Sequence, residues 1–488
     1  MRVFGWLLAA AISPLFAQSP TPLDRLAILN EFAELLRIPN VARNLADMRG
    51  NASLIERMYA KRGVTLRRLE ADGSPPALYG EIRVPGARRT LLLYAHYDGQ
   101  PVVPAQWTNG GPFEPVLLDE SGRKRPWPVR AEELAPEWRL QARSASDDKA
   151  PIIAFLAALD AGVKPRANLK FFFDGEEEAG SPHLRAILEN HRGLLAADAV
   201  IFCDGPVHQS RRQLVAFGAR GNASLQITVY GPKAELHSGH YGNFAPNPAM
   251  MLAQLLASMK DEDGRVRIAG FYDEVSPLTE AERRAIAEIP PVEDDLKREF
   301  LLGASETPGK RIDELLALPA LNVQGFSSGG VGTGRRNVIP SEATASLGIR
   351  LVKGMDPAKT VDRVTEHIRR QGYYITERPP TPDERLKHPR VARIERTRGG
   401  TRAVSVPLDS PLARDVIHAI EAVRGPVIKL PTMGGTLPID GFEDVLKAPV
   451  LIVPVANHDN NQHSHNENIR LKNLWDAIET LGAVMAME

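Results

Sequence analysis

At 488 residues the chain exceeds what one ordinary hydrophobic core organises, so two domains are expected. Lysine plus arginine and aspartate plus glutamate number 60 each, so no global field recruits nucleic acid or an anionic membrane, and neither is an expected partner. The single cysteine, Cys203, excludes an internal disulfide and lies in an apolar run, where a small buried residue is expected.

In chain order, residues 1–17 come first. Arg2 precedes an almost wholly apolar stretch that ends at Ala17, the pattern of a signal peptide too short to span a bilayer comfortably. Export to the periplasm or the outside follows from that reading, with no membrane attachment once the segment is removed. Short apolar runs at 90–95, 169–173 and 199–203 read as buried strands, with helical periodicity at 149–161 and 183–195 between them. Residues 412–423 read as a helix, 449–455 as another buried strand, and 468–487 as a final helix. Buried strands alternating with helices predict an α/β fold, a mostly parallel sheet with helices on both faces.

The middle of the chain has a different rhythm. Alternation at 224–230 and 344–352 predicts half-exposed strands, and 247–260 and 357–371 predict helices. This pattern describes a smaller α+β lid or dimerisation domain inserted at 213–402, which divides the catalytic domain into 18–212 and 403–488. The charged, Pro-punctuated stretch 279–318 reads as a helical excursion of the insert.

Residues that bind metals follow the predicted buried strands. The strand at 90–95 leads to His96 and Asp98, that at 169–173 to Asp174 and Glu176–Glu177–Glu178, and that at 199–203 to Asp204. The strand at 449–455 leads to His458, His463 and His465. In open α/β sheets the carboxyl ends of the strands form the binding crevice, so these groups converge. Ser146-Asp147-Asp148-Lys149 precedes a helix; alone it reads as an N-cap. Likewise a lone Glu triplet is ordinarily a solvated loop. Three carboxylates directly after three phenylalanines are costly beside a core unless cations neutralise them. Imidazole and carboxylate without thiolate suit zinc, and also cobalt or manganese. The ligand supply exceeds one tetrahedral ion and matches two sharing a carboxylate.

The strings YAHYDGQP, RSASDDKA, DGEEEAGS, FCDGP, ELHSGHYG, NVIPSEA, LGIRLV, GGTLPI and HSHNEN resemble the dinuclear zinc exopeptidase family. That family includes carnosinase-type dipeptidases, carboxypeptidase G, aminoacylase and succinyl-diaminopimelate desuccinylase, and the resemblance is nearest to the carnosinase-like branch. It implies two zinc ions per subunit. His96, Asp147, Glu178, Asp204 and His463 would be the ligands, with Asp147 bridging and His465 not a ligand. Asp98 would orient His96, Glu177 would be the general base, and the Asp147–Asp148 peptide would be cis. His237 would donate to the oxyanion, often from a partner subunit, so a homodimer is expected. Arg350, Asn337, Gly435 and Thr436 would hold the substrate. The implied reaction is hydrolysis of an amide bond in a dipeptide or short peptide. An N-acyl amino acid deacylase or a carboxypeptidase would use the same site. Thr432 and Met433 stand where Arg-Glu is usual in that branch, Asn337 where threonine is usual, and Ala142 and Ser144 where glycines are usual.

Overall fold

The computed structural model describes residues 23–127, 130–397 and 399–488. The signal-peptide reading at 1–17 falls outside them. Among the described residues no helix is long and apolar enough to cross a membrane.

The strand Thr90–His96 shows how the larger layer forms. Leu91, Leu93 and Ala95 face one core cluster, while Leu92 and Tyr94 face another. Phe171 and Phe173 against Phe172, and Ile201 against Val200 and Phe202, repeat the division. An apolar run with period-2 geometry therefore supplies both faces of the sheet at once. Each fully buried large apolar side chain contributes about 1.5–3 kcal/mol before entropy is charged against it. Helices Lys149–Asp160, Pro411–Arg424 and Leu471–Met485 cover the first face, and Leu184–Asn190 and Ile439–Leu446 the second. Lys149–Asp160 is apolar on nearly every side because it is buried on nearly every side, with Ala150–Ala158 shielded throughout.

The sheet has eight strands. Its centre, Asn168–Asp174, Thr90–His96, Ala199–Phe202 and Val450–Ile452, is parallel. Antiparallel neighbours Ala77–Ile82 and Arg67–Leu69 extend one side. The carboxyl ends of the parallel strands deliver His96, Asp174, Asp204 and the loop carrying His463 to one edge of the layer.

The strand Leu214–Ala216 also belongs to this sheet, paired in parallel with Ile428–Leu430. The smaller sheet therefore begins at Gly221 and not near Gln213. The reason is that 214–217 is an apolar run buried as a strand of the large layer, which the neighbouring polar segment obscured. The five-stranded sheet runs Ala320–Ser327, Glu342–Leu351, Gly221–Tyr230, Val391–Arg396, Tyr374–Thr376. Alternating Leu225, Ile227, Val229 and Ala345, Leu347, Ile349 turn to the helices Pro248–Ala257 and Pro357–Arg370. Gly221–Tyr230 is thus a central strand paired on both sides, and Ala320–Ser327 lies at one edge of the sheet. The excursion forms helices Glu280–Glu288, Glu293–Glu299 and Ile312–Leu316, and Ile289 joins a core cluster of the large layer. Of the C-terminal helix expected at 468–487, the first residues instead form the buried strand Asn468–Arg470, paired with Arg139–Gln141.

Candidate metal centre

His96 ends its strand fully buried, with its Nε2 3.0 Å from Asp147 Oδ1 and 3.9 Å from Asp204 Oδ2. His463 Nε2 lies 3.1 Å from Asp147 Oδ2 and 3.2 Å from Glu178 Oε2. These residues form two three-membered groups, His96–Asp147–Asp204 and Asp147–Glu178–His463, each with its donor atoms within 4.8 Å of one another. Asp147 is common to both. His463 is held at φ +60°, in the left-handed region, where a non-glycine residue carries strain that the surrounding fold must offset.

Asp98 joins the two groups. One carboxylate oxygen lies 3.3 Å from His96 Nδ1, and the two oxygens accept the backbone N–H groups of Glu177 and Glu178 at 3.0 Å each. One side chain therefore orients the imidazole and fixes the short turn that presents both glutamates. Gln100 donates to Glu178 Oε2 at 2.7 Å. Asp148 accepts from the His96 backbone N–H at 3.2 Å, and the Asp147–Asp148 peptide is cis.

The sequence reading did not single out Glu467, which is fully buried. Its Oε1 accepts from Ser146 N, Ser146 Oγ and Asp147 N at 3.1, 2.9 and 3.0 Å. Its Oε2 accepts from Arg143 at 2.7 Å and Ser144 N at 3.0 Å. The loop bearing the shared aspartate is therefore tied to the segment just past His463. Ser144 sits at φ +62°, in the left-handed region that glycine adopts most readily.

Electrostatics records the crowding of these acids. Burial first, and then the charge of Asp147, pushes Asp204 up to about 7 and Glu178 up to about 8. Burial also pushes Glu177 well above the carboxylate range, reinforced by Asp204, Glu178 and Asp147 and opposed by His96. His463 is pushed up to about 9 by its contact with Asp147, against burial. So many buried carboxylates around two imidazoles are unfavourable without cations. Among the described residues, Asp204 Oδ1 and Asp148 Oδ1 are buried with no hydrogen-bond partner. Two imidazole nitrogens, three carboxylates with Asp147 common to both groups, and orphaned buried oxygens fit divalent cations well.

A cavity of about 640 Å³ opens from this cluster. Asp147, Glu177, Glu178, Asp204 and His463 line one part, and Arg350, Gly435 and Thr436 another. Arg350 donates to Thr436 Oγ1 at 2.6 Å, so the small sheet and the large layer meet across the cavity. His237 and Asn337 do not line it. Both are exposed on the inserted domain, where Leu236–His237 pairs with Val338–Ile339. His465 is exposed and outside both groups, and Cys203 is buried and unpaired.

Residues 92–487 match the Peptidase family M20/M25/M40. The chain belongs to that family. The Cys-Gly metallodipeptidase DUG1 of Candida albicans is 27% identical over 425 residues, 84% of this chain and 81% of that protein. The human Beta-Ala-His dipeptidase is 27% identical over 457 residues, 87% of this chain and 82% of that protein. Among solved structures, the M20 family metallo-carboxypeptidase Sso-CP2 from Sulfolobus solfataricus superposes with a TM-score of 0.76 at 26% identity, over 94% of this chain and 98% of that one. The M20 assignment agrees with the resemblance drawn from the motifs and with the α/β architecture. The protein is a metallopeptidase of that family.

Proposed function

We propose that this M20 peptidase is a dipeptidase that uses two divalent ions, zinc by the chemistry of its donors, and acts outside the cytoplasm as a homodimer. The observation that carries the reading is the single cavity with two carboxylate-sharing ligand groups at one part and the Arg350–Thr436 pair at another. Relatives named as dipeptidases that align over most of their length support the substrate class.

His96, Asp147 and Asp204 would hold one ion, and Asp147, Glu178 and His463 the other. When bound, such a pair polarises the scissile carbonyl and lowers the pKa of water toward neutrality. Glu177 sits beside these groups without belonging to either, held by the Asp98 hydrogen bond to its backbone. As general base it takes the proton of the attacking water and passes it to the departing nitrogen. Arg350 and Thr436 receive the substrate's terminal carboxylate, a guanidinium and a hydroxyl converging on one anion. That fixed terminus sets the distance to the scissile bond and restricts the enzyme to short substrates. His237 and Asn337 act from a neighbouring subunit, because their own chain leaves both exposed and outside the cavity.

A panel of dipeptides, N-acyl amino acids and C-terminally amidated dipeptides on zinc-loaded protein tests the proposal. Turnover of free dipeptides, with amidated ones poorer by about 10²-fold for loss of a charge-assisted contact, is expected. Preference for N-acyl amino acids would make the protein a deacylase.

A further inference from the structure

Asn222 has none of the roles assigned above. It is the second residue of the strand Gly221–Tyr230, is exposed, and lines the catalytic cavity. In the small sheet it stands directly opposite Arg350 in antiparallel register. Residues so opposed share a face of the sheet, with their Cβ atoms about 5 Å apart. Ala223 and Ile349, the next residues on the two strands, turn to the helix-covered core. Asn222 and Arg350 therefore occupy the other face, and both reach the cavity. Backbone pairing sets the separation of the two, so movement of one layer against the other leaves it unchanged.

The chemistry of the side chain is fixed by a second contact. Asn222 Oδ1 accepts the backbone N–H of Thr401 at 3.1 Å, and the Asn222 backbone N–H donates to Thr401 O at 2.9 Å. A backbone N–H can only donate, so the atom that receives it is the carboxamide oxygen. The –NH2 is left to meet a ligand, and it can only donate. The groups nearby are constrained in the same way. Arg350 has donors alone, and its bond of 2.6 Å to Thr436 Oγ1 leaves the hydroxyl proton of Thr436 to donate elsewhere. Three donors around one space match a group that only accepts. An ionised carboxylate has two oxygens and about four lone-pair sites, room for a third donor beside Arg350 and Thr436.

We infer that Asn222 is a specificity-determining residue whose Nδ2–H donates to the substrate's terminal carboxylate beside Arg350. The inference rests on the dipeptidase reading and on its placement of that carboxylate. A purely structural Asn222 would do no more than accept from Thr401, tying the chain's entry into the inserted domain to its exit. Asn222→Asp separates the two roles. It keeps the accepting oxygen and the size, and replaces the donor with an anion.

The test measures kcat and KM for free and C-terminally amidated dipeptides on wild type, Asn222→Asp, Asn222→Ala and Arg350→Met, each with metal content determined. Dissociation constants for the same peptides are measured on metal-loaded Glu177→Gln, with and without Asn222→Asp. Asn222→Asp should raise KM and the dissociation constant of free dipeptides about 100-fold, through the lost donor and the repulsion of two carboxylates. Amidated dipeptides bring no charge to that place and should lose far less, so the preference for the free form should collapse. Asn222→Ala loses the donor without adding an anion, and should raise KM for free dipeptides about tenfold. In both variants KM should move more than kcat. A metal-replete Asn222→Asp protein that keeps the wild-type preference overturns the inference, as does an equal loss on free and amidated peptides. Where Asn222→Asp does not fold, the same comparison on Asn222→Ala decides. If Arg350→Met abolishes the preference while the Asn222 variants keep it, the dipeptidase reading stands without this inference. If wild type cleaves neither kind of peptide, or does not distinguish them, the placement of the carboxylate falls and takes the inference with it.

Discussion

Glu177 and Glu178 are adjacent, both held by the carboxylate of Asp98 through their backbone N–H groups, yet only Glu178 lies within a ligand group. Their substitutions should separate accordingly. Glu177→Gln is expected to keep its metal content and lose about 10²–10⁴ in kcat, the range for a missing general base. Glu178→Gln is expected to lose an ion, seen as a lower metal-to-protein ratio after dialysis. Elemental analysis beside steady-state kinetics decides, and exchanged phenotypes would shift the assignment by one residue. At this scale the sequence was informative because each of the five metal-type residues sits in a short specific string. Glu467 was not legible, although it stands in the HSHNEN string. Its function is to accept hydrogen bonds from Ser144, Ser146 and Asp147, some 320 residues earlier, and no local spacing encodes such a contact.

Among elements, the buried parallel strands were the most legible, because continuous apolar runs of strand length bounded by polar residues admit few other readings. The helices Pro411–Arg424 and Pro357–Arg370 were found to within a residue or two, each opening with proline at its first position after a capping Ser410 or Asp356. The errors lie where tertiary pairing overrides local pattern. Asn468–Arg470 carries no strand signature, yet it pairs with Arg139–Gln141 and brings Glu467 under the Asp147 loop. That arrangement makes one element's end the support of another's. Glu467→Ala removes five accepted hydrogen bonds from Arg143, Ser144, Ser146 and Asp147. Metal affinity should fall about 10–100-fold, the usual cost of losing a group that orients ligands. Competition with a chromophoric chelator measures it. Affinity equal to wild type in a folded variant would mean that the loop holds its shape without Glu467.

The whole molecule leaves its inserted domain unfinished, and this is the basis for the proposed homodimer. The helix Pro248–Ala257 turns Leu252 and Leu255 inward, while Met250 is 60% exposed. The strand Gly221–Tyr230 is central, and the sheet's two edges are Ala320–Ser327 and the short Tyr374–Thr376. Val323 and Phe326 on the first of these are about half exposed, and Phe244 and Val331 are 85% and 89% exposed. An apolar strand edge left bare invites pairing, and pairing with its own symmetry mate gives a closed, isologous contact. His237 and Asn337 lie on the same domain, both exposed and both outside the cavity of their own chain. A neighbouring subunit is therefore where they would meet a substrate. Mixing two inactive variants, His237→Ala and Glu177→Ala, tests this directly. A mixed dimer contains one site with both groups intact, so equal and random mixing should recover activity toward about a quarter of wild type, by the symmetry of a two-fold contact. Lysine or glutamate at Val323 and Phe326 should shift the protein to monomer in ultracentrifugation and abolish the recovery. Failure to recover despite demonstrated subunit exchange would place His237 over its own chain's cavity after the two layers close.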